Sequence, residues 1–236
     1  MLILGIDTAT SAIGVGLSDG EQVLGAAHRI DPRGHTEQLA PLLAGLLADT
    51  GTTPRDLTDI VVGTGPGPFT GLRVGLVTGV TMGHALGIPV HGLCSLDVLA
   101  HQALCRECGN GRPGHHFRTH DEAVVATDAR RKEVYWARYR VTAGPDGAAG
   151  PERLSAPAVD RPAEVPEEVR ALPTAGRGPV LYPDLFPRAL EPLDVDAGVL
   201  ALLGAQGVRS HAEMPVEPLY LRRPDALTTA ERGAAS

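Results

Sequence analysis

Four glycines, Gly71, Gly75, Gly79 and Gly83, recur at every fourth position of a stretch that reads as a helix from Thr70 to Leu86. Residues four apart stack on one helix face, so the four form a single stripe. Each costs a helix interior about 1 kcal/mol relative to alanine, and close approach of another backbone is the contact that offsets this. Either the stripe packs within the molecule, on a sheet or on the helix expected from His35 to Asp49, or it faces a partner. The two readings are compatible, because a helix has more than one face.

The stripe begins in the loop GTGPGPFTGLRVG, Gly63 to Gly75. A Walker loop follows its last glycine with Lys and Ser or Thr, whereas Gly71 is followed by Leu72 and Arg73. A dinucleotide fingerprint fails too, because Thr70 stands where its third glycine belongs. A loop that ends a strand and opens a helix still offers backbone amides to an anion. Gly65 and Gly67 are therefore kept as candidates for a degenerate nucleotide or anion site.

Around this loop the first hundred residues read βββαβαβα. LILGID, the stretch after Ser11 and the stretch after the Asp19-Gly20 turn form an antiparallel meander. Leu39, Leu42, Leu43, Leu46 and Leu47 give the helix from His35 to Asp49 its apolar face, with Pro41 expected to disturb its first turn. DIVVGTG is a strand, IPVHG another, and Ser95 to Cys105 a helix capped by Ser95. Beyond a loop rich in glycine and histidine, AVVATDARRKEVYWARYRV repeats the opening theme. Asp128 falls where Asp7 fell, Val134 where Ile13 fell and Trp136 where Val15 fell, at a constant offset, which suggests a duplicated unit. Residues 1–108 and 121–222 are read as two subdomains and 223–236 as a frayed tail. VEPLYLRRP is expected to be a late strand or an extended segment.

Together ILGIDTAT, HTEQLAPLL, GPGPFTGLRVG, DARRKEVYWA, AGRGPV and PLYLRRPDA resemble the TsaB (YeaZ) family, accessory subunits of bacterial tRNA threonylcarbamoyladenosine synthesis. The resemblance spans nearly the whole chain, with Pro68 standing where the family usually has Ser. It implies an α/β fold of the actin, Hsp70 and sugar-kinase (ASKHA) type built from duplicated βββαβα subdomains. The catalytic relative TsaD shares the loop and follows it with a helix bearing an HxxxH metal motif. Alignment on IPVHG puts Ser95 and Leu99 at those two positions, and neither supplies an imidazole. The resemblance thus implies a non-catalytic paralogue that binds a TsaD-like protein and supports threonylcarbamoyl transfer to adenosine 37 of tRNA. It also implies a TsaE-like ATPase in the wider complex, with ATP used there and no cofactor expected on this chain. Its partner surface is assigned to Leu39, Leu42, Leu43, Leu46, Gly71, Gly75, Gly79 and Gly83, and the same helices offer a site for a homodimer when the chain is alone, with monomer and homodimer both left open.

An alternative is an ATP-dependent transferase or kinase of the same fold using Asp7 and the Gly176–Gly178 turn, and the resemblance puts Asp7 and Asp128 where this fold class places phosphate- or metal-binding carboxylates, as candidates for the degenerate nucleotide or anion site. Asp7 lacks a nearby Lys to hold a phosphate, which favours a degenerate site. Cys105, Cys108, His115, His116 and His120 could hold a structural zinc, but they lie in a stretch of Gly, Pro and Asn that reads as a solvent-facing insertion. Hydrolysis by a serine triad is disfavoured, because no G-x-S-x-G elbow is present. His35 opens a helix and is expected to pack or cap rather than act as a base.

Charge limits the partners further. At a formal net charge of −7 the chain does not grip nucleic acid through a broad basic surface, so tRNA is expected only through the complex. MLILGID lacks a signal peptide's basic start. The uncharged run from Val74 to Leu96 is broken by Pro89, two histidines and glycines, so no membrane association and a cytoplasmic location are expected.

Overall fold

Ile3–Asp7 (β1) and Ala12–Ser18 (β2) are buried along their whole length, as expected of strands covered on both faces. The computed structural model describes residues 1–30, 35–105, 118–143 and 149–222. The frayed tail expected at 223–236 lies outside them. After β2 come Val23–Ile30 (β3), His35–Asp49 (α1), a 3-10 turn at Pro54–Asp56, Asp59–Gly63 (β4), Phe69–Leu86 (α2), Val90–Leu93 (β5) and Ser95–Leu104 (α3). This is the βββαβαβα order read from the sequence. Pro41 sits inside α1 without ending it.

The second half holds Glu122–Asp128 (β6), Val134–Ala143 (β7), Ala149–Arg153 (β8), Ala158–Asp160 (β9), Glu167–Arg170 (α4), Thr174–Ala175 (β10), Gly178–Leu181 (α5), Ala189–Leu190 (β11) and Ala197–Arg209 (α6). The first sheet has the order β3-β2-β1-β4-β5, and the second, taken from the other edge, β8-β7-β6-β10-β11. In both, the first three strands are antiparallel and the last two join in parallel. The duplication is therefore present in the topology, and the fold is the duplicated α/β arrangement of the ASKHA class.

One part of the predicted repeat fails in detail. Asp7 pairs with Gly14 in the first hairpin, whereas Asp128 pairs with Val134 in the second. The second turn is one residue shorter, so Val134 matches Gly14 and Trp136 matches Gly16 rather than Ile13 and Val15. A one-residue change in register moves every side chain to the other face, which a constant offset cannot capture.

The two halves exchange their last helices. α3 packs on the second sheet, against β6, β7, β8 and β10, while α6 lies across β1, β2 and β3 of the first. A cut between 108 and 121 separates the sheets but not the packing units. α6 reaches backbone contact with the first sheet, where a Cβ at Gly16 would overlap the Gly198 amide. Between the sheets, Ile3, Val61, Leu96, Leu99, Tyr139 and Leu200 form a shared core, and Tyr139 Oη donates to Asp97 at 2.8 Å. On the opposite face of the first sheet, Leu39, Leu43 and Leu46 of α1 meet Leu72 and Leu76 of α2 over Leu4, Ile6 and Ile13. Each such fully buried aliphatic side chain contributes about 1.5–3 kcal/mol.

One further expectation is corrected. The N-cap of α3 is Cys94, with no side-chain cap, because the hydroxyl of Ser95 is engaged elsewhere. Of VEPLYLRRP, residues 216–222 run as an extended strap outside both sheets, the second of the two forms expected. Gly92 N donates to Met214 O at 2.9 Å and Leu219 N to Thr64 O at 2.9 Å, which lays the segment along β5 and the end of β4. Among the described residues no helix is long and apolar enough to cross a membrane.

Candidate functional site

The glycine loop leaves β4 at Gly63 and enters α2 at Phe69, directly over the end of β1. Asp7, the last residue of β1, is 1% exposed. Its Oδ2 accepts a hydrogen bond from Ser95 Oγ at 2.6 Å and its Oδ1 one from Ala9 N at 2.9 Å. Ser95 Oγ in turn accepts from Gly65 N at 3.2 Å, and Ser95 N donates to Gly65 O at 2.8 Å. Burial pushes the Asp7 carboxyl up to about 6, against the pull of these hydrogen bonds. The carboxylate fills the space where a Cβ on Gly63 would stand, and Gly67 lies against the Ala9 backbone. Asp7, Gly65 and Gly67 are thus closed on one another in a structural knot, not arranged around an open phosphate site.

The stripe has the same inward role. Thr8 Oγ1 donates to Gly71 O at 2.7 Å and accepts from Gly75 N at 2.9 Å, which docks one turn of α2 on β1. A Cβ on Gly79 would overlap Val62 of β4, and one on Gly83 would overlap Val90 of β5. Gly71, Gly75, Gly79 and Gly83 are all buried, and Leu39, Leu43 and Leu46 are 2%, 9% and 4% exposed, with Leu42 half-buried. The assignment of these eight residues to a partner surface is therefore corrected: they hold α1 and α2 on the sheet. Outward, α1 presents Ala40, Pro41, Ala44, Gly45 and Ala48 between Glu37 and Asp49, and α2 presents Val77, Val80, Thr81, His84 and Ala85 beyond Phe69, Thr70 and Arg73.

In the second half, Gly176 and Gly178 pack on Ala126 of β6, so the turn they form is also a packing feature. Asp128 is tied within its hairpin, accepting from Arg130 N at 2.8 Å and pairing with the Arg130 guanidinium at 3.0 Å. Of the zinc candidates, Cys108, His115 and His116 lie outside the described residues. Cys105 Sγ lies 3.7 Å from His101 Nδ1, and His120 occupies the turn before β6. No group of three His, Cys, Asp or Glu that could hold a metal occurs among the described residues. Ser18 donates to Gln22 O, and Ser95 is held by Asp7, so neither has the setting of a nucleophile. α1 starts at His35, as expected.

The sequence reading missed a cleft of about 380 Å³ where the first loop meets the second hairpin. Gly67, Pro68, Phe69 and Thr70 form one wall, Ala129, Arg130, Arg131 and Tyr135 the second, and Tyr220, Leu221 and Arg222 of the strap the third. Tyr135 Oη donates to Gly67 O at 3.3 Å across it. Arg222 Nη1 donates to Ala129 O at 3.1 Å, and the same guanidinium pairs with Glu133. Phe69 meets Tyr220 with ring centroids 5.1 Å apart, and the Arg73 guanidinium lies 4.3 Å over the Phe69 ring. Arg130, Arg131 and Lys132 all have left-handed backbone, with φ of 62°, 53° and 63°. Such residues cost about 1–3 kcal/mol each and gather where surrounding structure holds them. The run RRK in DARRKEVYWA was the available signal.

The chain matches the family model of TsaD, tRNA N6-adenosine threonylcarbamoyltransferase, over residues 25–169. It is 42% identical over 231 residues to an uncharacterized protein of Mycobacterium leprae, a match covering 95% of this chain and 56% of that one. It is 38% identical over 143 residues to the tRNA threonylcarbamoyladenosine biosynthesis protein TsaB of Escherichia coli, covering 59% and 55%. The matches thus span little more than half the length of either relative. The solved structure of YeaZ from Pseudomonas aeruginosa superposes with a TM-score of 0.68 at 25% identity, over 93% of this chain and 99% of that one.

Proposed function

The chain belongs to the TsaD family of tRNA threonylcarbamoyladenosine proteins, within its TsaB (YeaZ) branch, and from that premise we propose that it is the accessory subunit that docks a TsaD-like paralogue. It supports threonylcarbamoyl transfer to adenosine 37 of tRNA, meeting tRNA and a TsaE-like, ATP-hydrolysing subunit through the assembled complex. The observation that carries this reading is the outer face of α1 and α2. Residues 40–48 and 77–85 contain no Asp, Glu, Lys or Arg, and Val77 and Val80 are 61% and 47% exposed. Small side chains on neighbouring helices let a second helix pair approach closely, and an uncharged exposed face of this kind marks an interaction surface. The same face supports a homodimer when the paralogue is absent.

The chemistry is left to the partner. Ser95 is fixed by Asp7 and Leu99 is fully buried, so the two positions aligned with the relative's metal motif serve packing here. Light scattering after size exclusion, on the chain alone and mixed with its TsaD-type paralogue, tests the proposal. A stoichiometric heteromer is expected, and the double variant Val77→Glu, Val80→Glu should lose it while keeping its circular dichroism. Separate elution of two folded proteins, or full assembly by the folded variant, refutes the reading.

A further inference from the structure

The side of α2 that faces away from the sheet carries a second stripe. Phe69, Arg73, Val77, Val80 and His84 follow one another at spacings of four, four, three and four, which sets them on one side of the helix, and all five are exposed. Val77 and Val80 belong to the docking face, so the stripe continues that face to the first turn of the helix. There it meets Tyr220 of the strap, whose ring centroid lies 5.1 Å from that of Phe69. The chain has only three Phe, four Tyr and one Trp, and among the described residues Phe69 and Tyr220 are the two aromatic side chains left exposed, at 46% and 41%. Tyr135, Tyr139 and Phe186 are buried, and Trp136 and Tyr182 half-buried. The strap holds Tyr220 between two anchors, Leu219 N on Thr64 O at 2.9 Å and Arg222 Nη1 on Ala129 O at 3.1 Å. The Arg73 guanidinium lies 4.3 Å over the Phe69 ring. It is the only Lys or Arg in α1 and α2, and among the described residues no carboxylate pairs with it.

We propose that Phe69, Arg73 and Tyr220 are the anchor of the docking face, and that the paralogue meets them with an apolar recess for the two rings and a carboxylate for Arg73. The inference rests on the docking reading above and adds to it a surface on the strap, outside both helices. Binding energy at protein interfaces is concentrated in a few Tyr, Trp and Arg side chains, whereas the rest of this face consists of small residues that supply fit. A guanidinium stacked on a ring keeps its edge free for a carboxylate, and rings already held in place lose little freedom when a partner covers them.

Calorimetric titration of the full chain with its TsaD-type paralogue, at low salt and again at higher salt, tests the anchor. Arg73→Ala and Tyr220→Ala should each weaken binding about tenfold or more, with circular dichroism unchanged, and Arg73→Glu about a hundredfold. The parent should bind more weakly as salt rises, and Arg73→Ala should lose part of that dependence. Arg73→Lys keeps the charge without the planar fork, so it should restore the salt dependence but not the full affinity. Arg188→Ala, on an exposed residue of the second half, should bind as the parent does. Unchanged affinity in folded Arg73→Ala and Tyr220→Ala, where Val77→Glu, Val80→Glu abolishes binding, leaves the docking reading intact and overturns the anchor. Loss of self-association alone in these variants, read by light scattering, assigns the cluster to a second copy and overturns it as well. A parent chain that forms no heteromer at all overturns the docking reading, and the anchor with it.

Discussion

Replacing Asp7 with Asn should change how the protein's stability depends on pH more than any substitution on the surface. The carboxyl is buried at the end of β1, and burial raises it from an ordinary 3.8 to about 6 despite hydrogen bonds from Ser95 and the Ala9 amide. A group whose folded pKa lies above its unfolded value stabilises the fold fully below the unfolded value and loses that contribution as pH rises through the folded one. The window is therefore pH 4 to 6, and the difference across it is about 3 kcal/mol. Asp19, Asp56 and Glu122 are held below their ordinary values by hydrogen bonds, so they act in the opposite direction. Urea unfolding of the parent and Asp7→Asn at half-unit intervals from pH 4 to 7.5 isolates Asp7 in the difference curve. The parent should lose about 3 kcal/mol relative to the variant across the window. The Asn side chain keeps an acceptor for Ala9 N and turns an amide toward Ser95, so the variant should fold. Two curves that run parallel from pH 4 to 7.5 would mean that Asp7 is not a buried ionisable group, and the knot of Asp7, Ser95 and Gly65 would have to be redrawn.

Two other measurements bear on how α2 is seated. Gly79→Ala places a methyl into Val62 and should cost about 1–3 kcal/mol by overpacking, while Gly45→Ala, which meets nothing within 4 Å, should gain about 0.5–1 kcal/mol. Equal midpoints in thermal unfolding for these two variants would contradict the inward orientation of the stripe. Thr8→Val removes the hydroxyl that joins Gly71 O to Gly75 N and should cost about 1–3 kcal/mol, with faster amide exchange at Gly75 in the native state, and unchanged exchange there would show that Thr8 does not dock the helix.

The order of elements was legible because it depends on short-range patterns. Alternation marked the strands of the meander, leucine spacing marked α1, and the glycine spacing marked α2 to within one residue. The repeat of strand, Asp and hairpin anticipated the second sheet, although a single residue missing from its turn broke the offset. The residues assigned to a partner surface lie on the inner faces of α1 and α2. Periodicity says which residues share a face, and glycine and leucine both fit an internal contact as well as an external one. The cleft went unread because its walls come from positions near 69, 130 and 220, and only the arginine run of the hairpin hinted at it.

What this sequence determined by itself is local and periodic: which segments become helix or strand, that α2 must be closely packed along its glycine face, and that the loop before it lacks the lysine of a Walker site. Tertiary packing decided the rest. It aimed the stripe at Thr8, Val62 and Val90, turned Asp7 inward onto Ser95, crossed α3 and α6 onto each other's sheets, and gathered cationic and aromatic side chains into one cleft. Backbone propensity acts over a few residues, whereas these neighbours lie from tens of residues to well over a hundred apart. Their pairing is fixed by which apolar faces can be buried together.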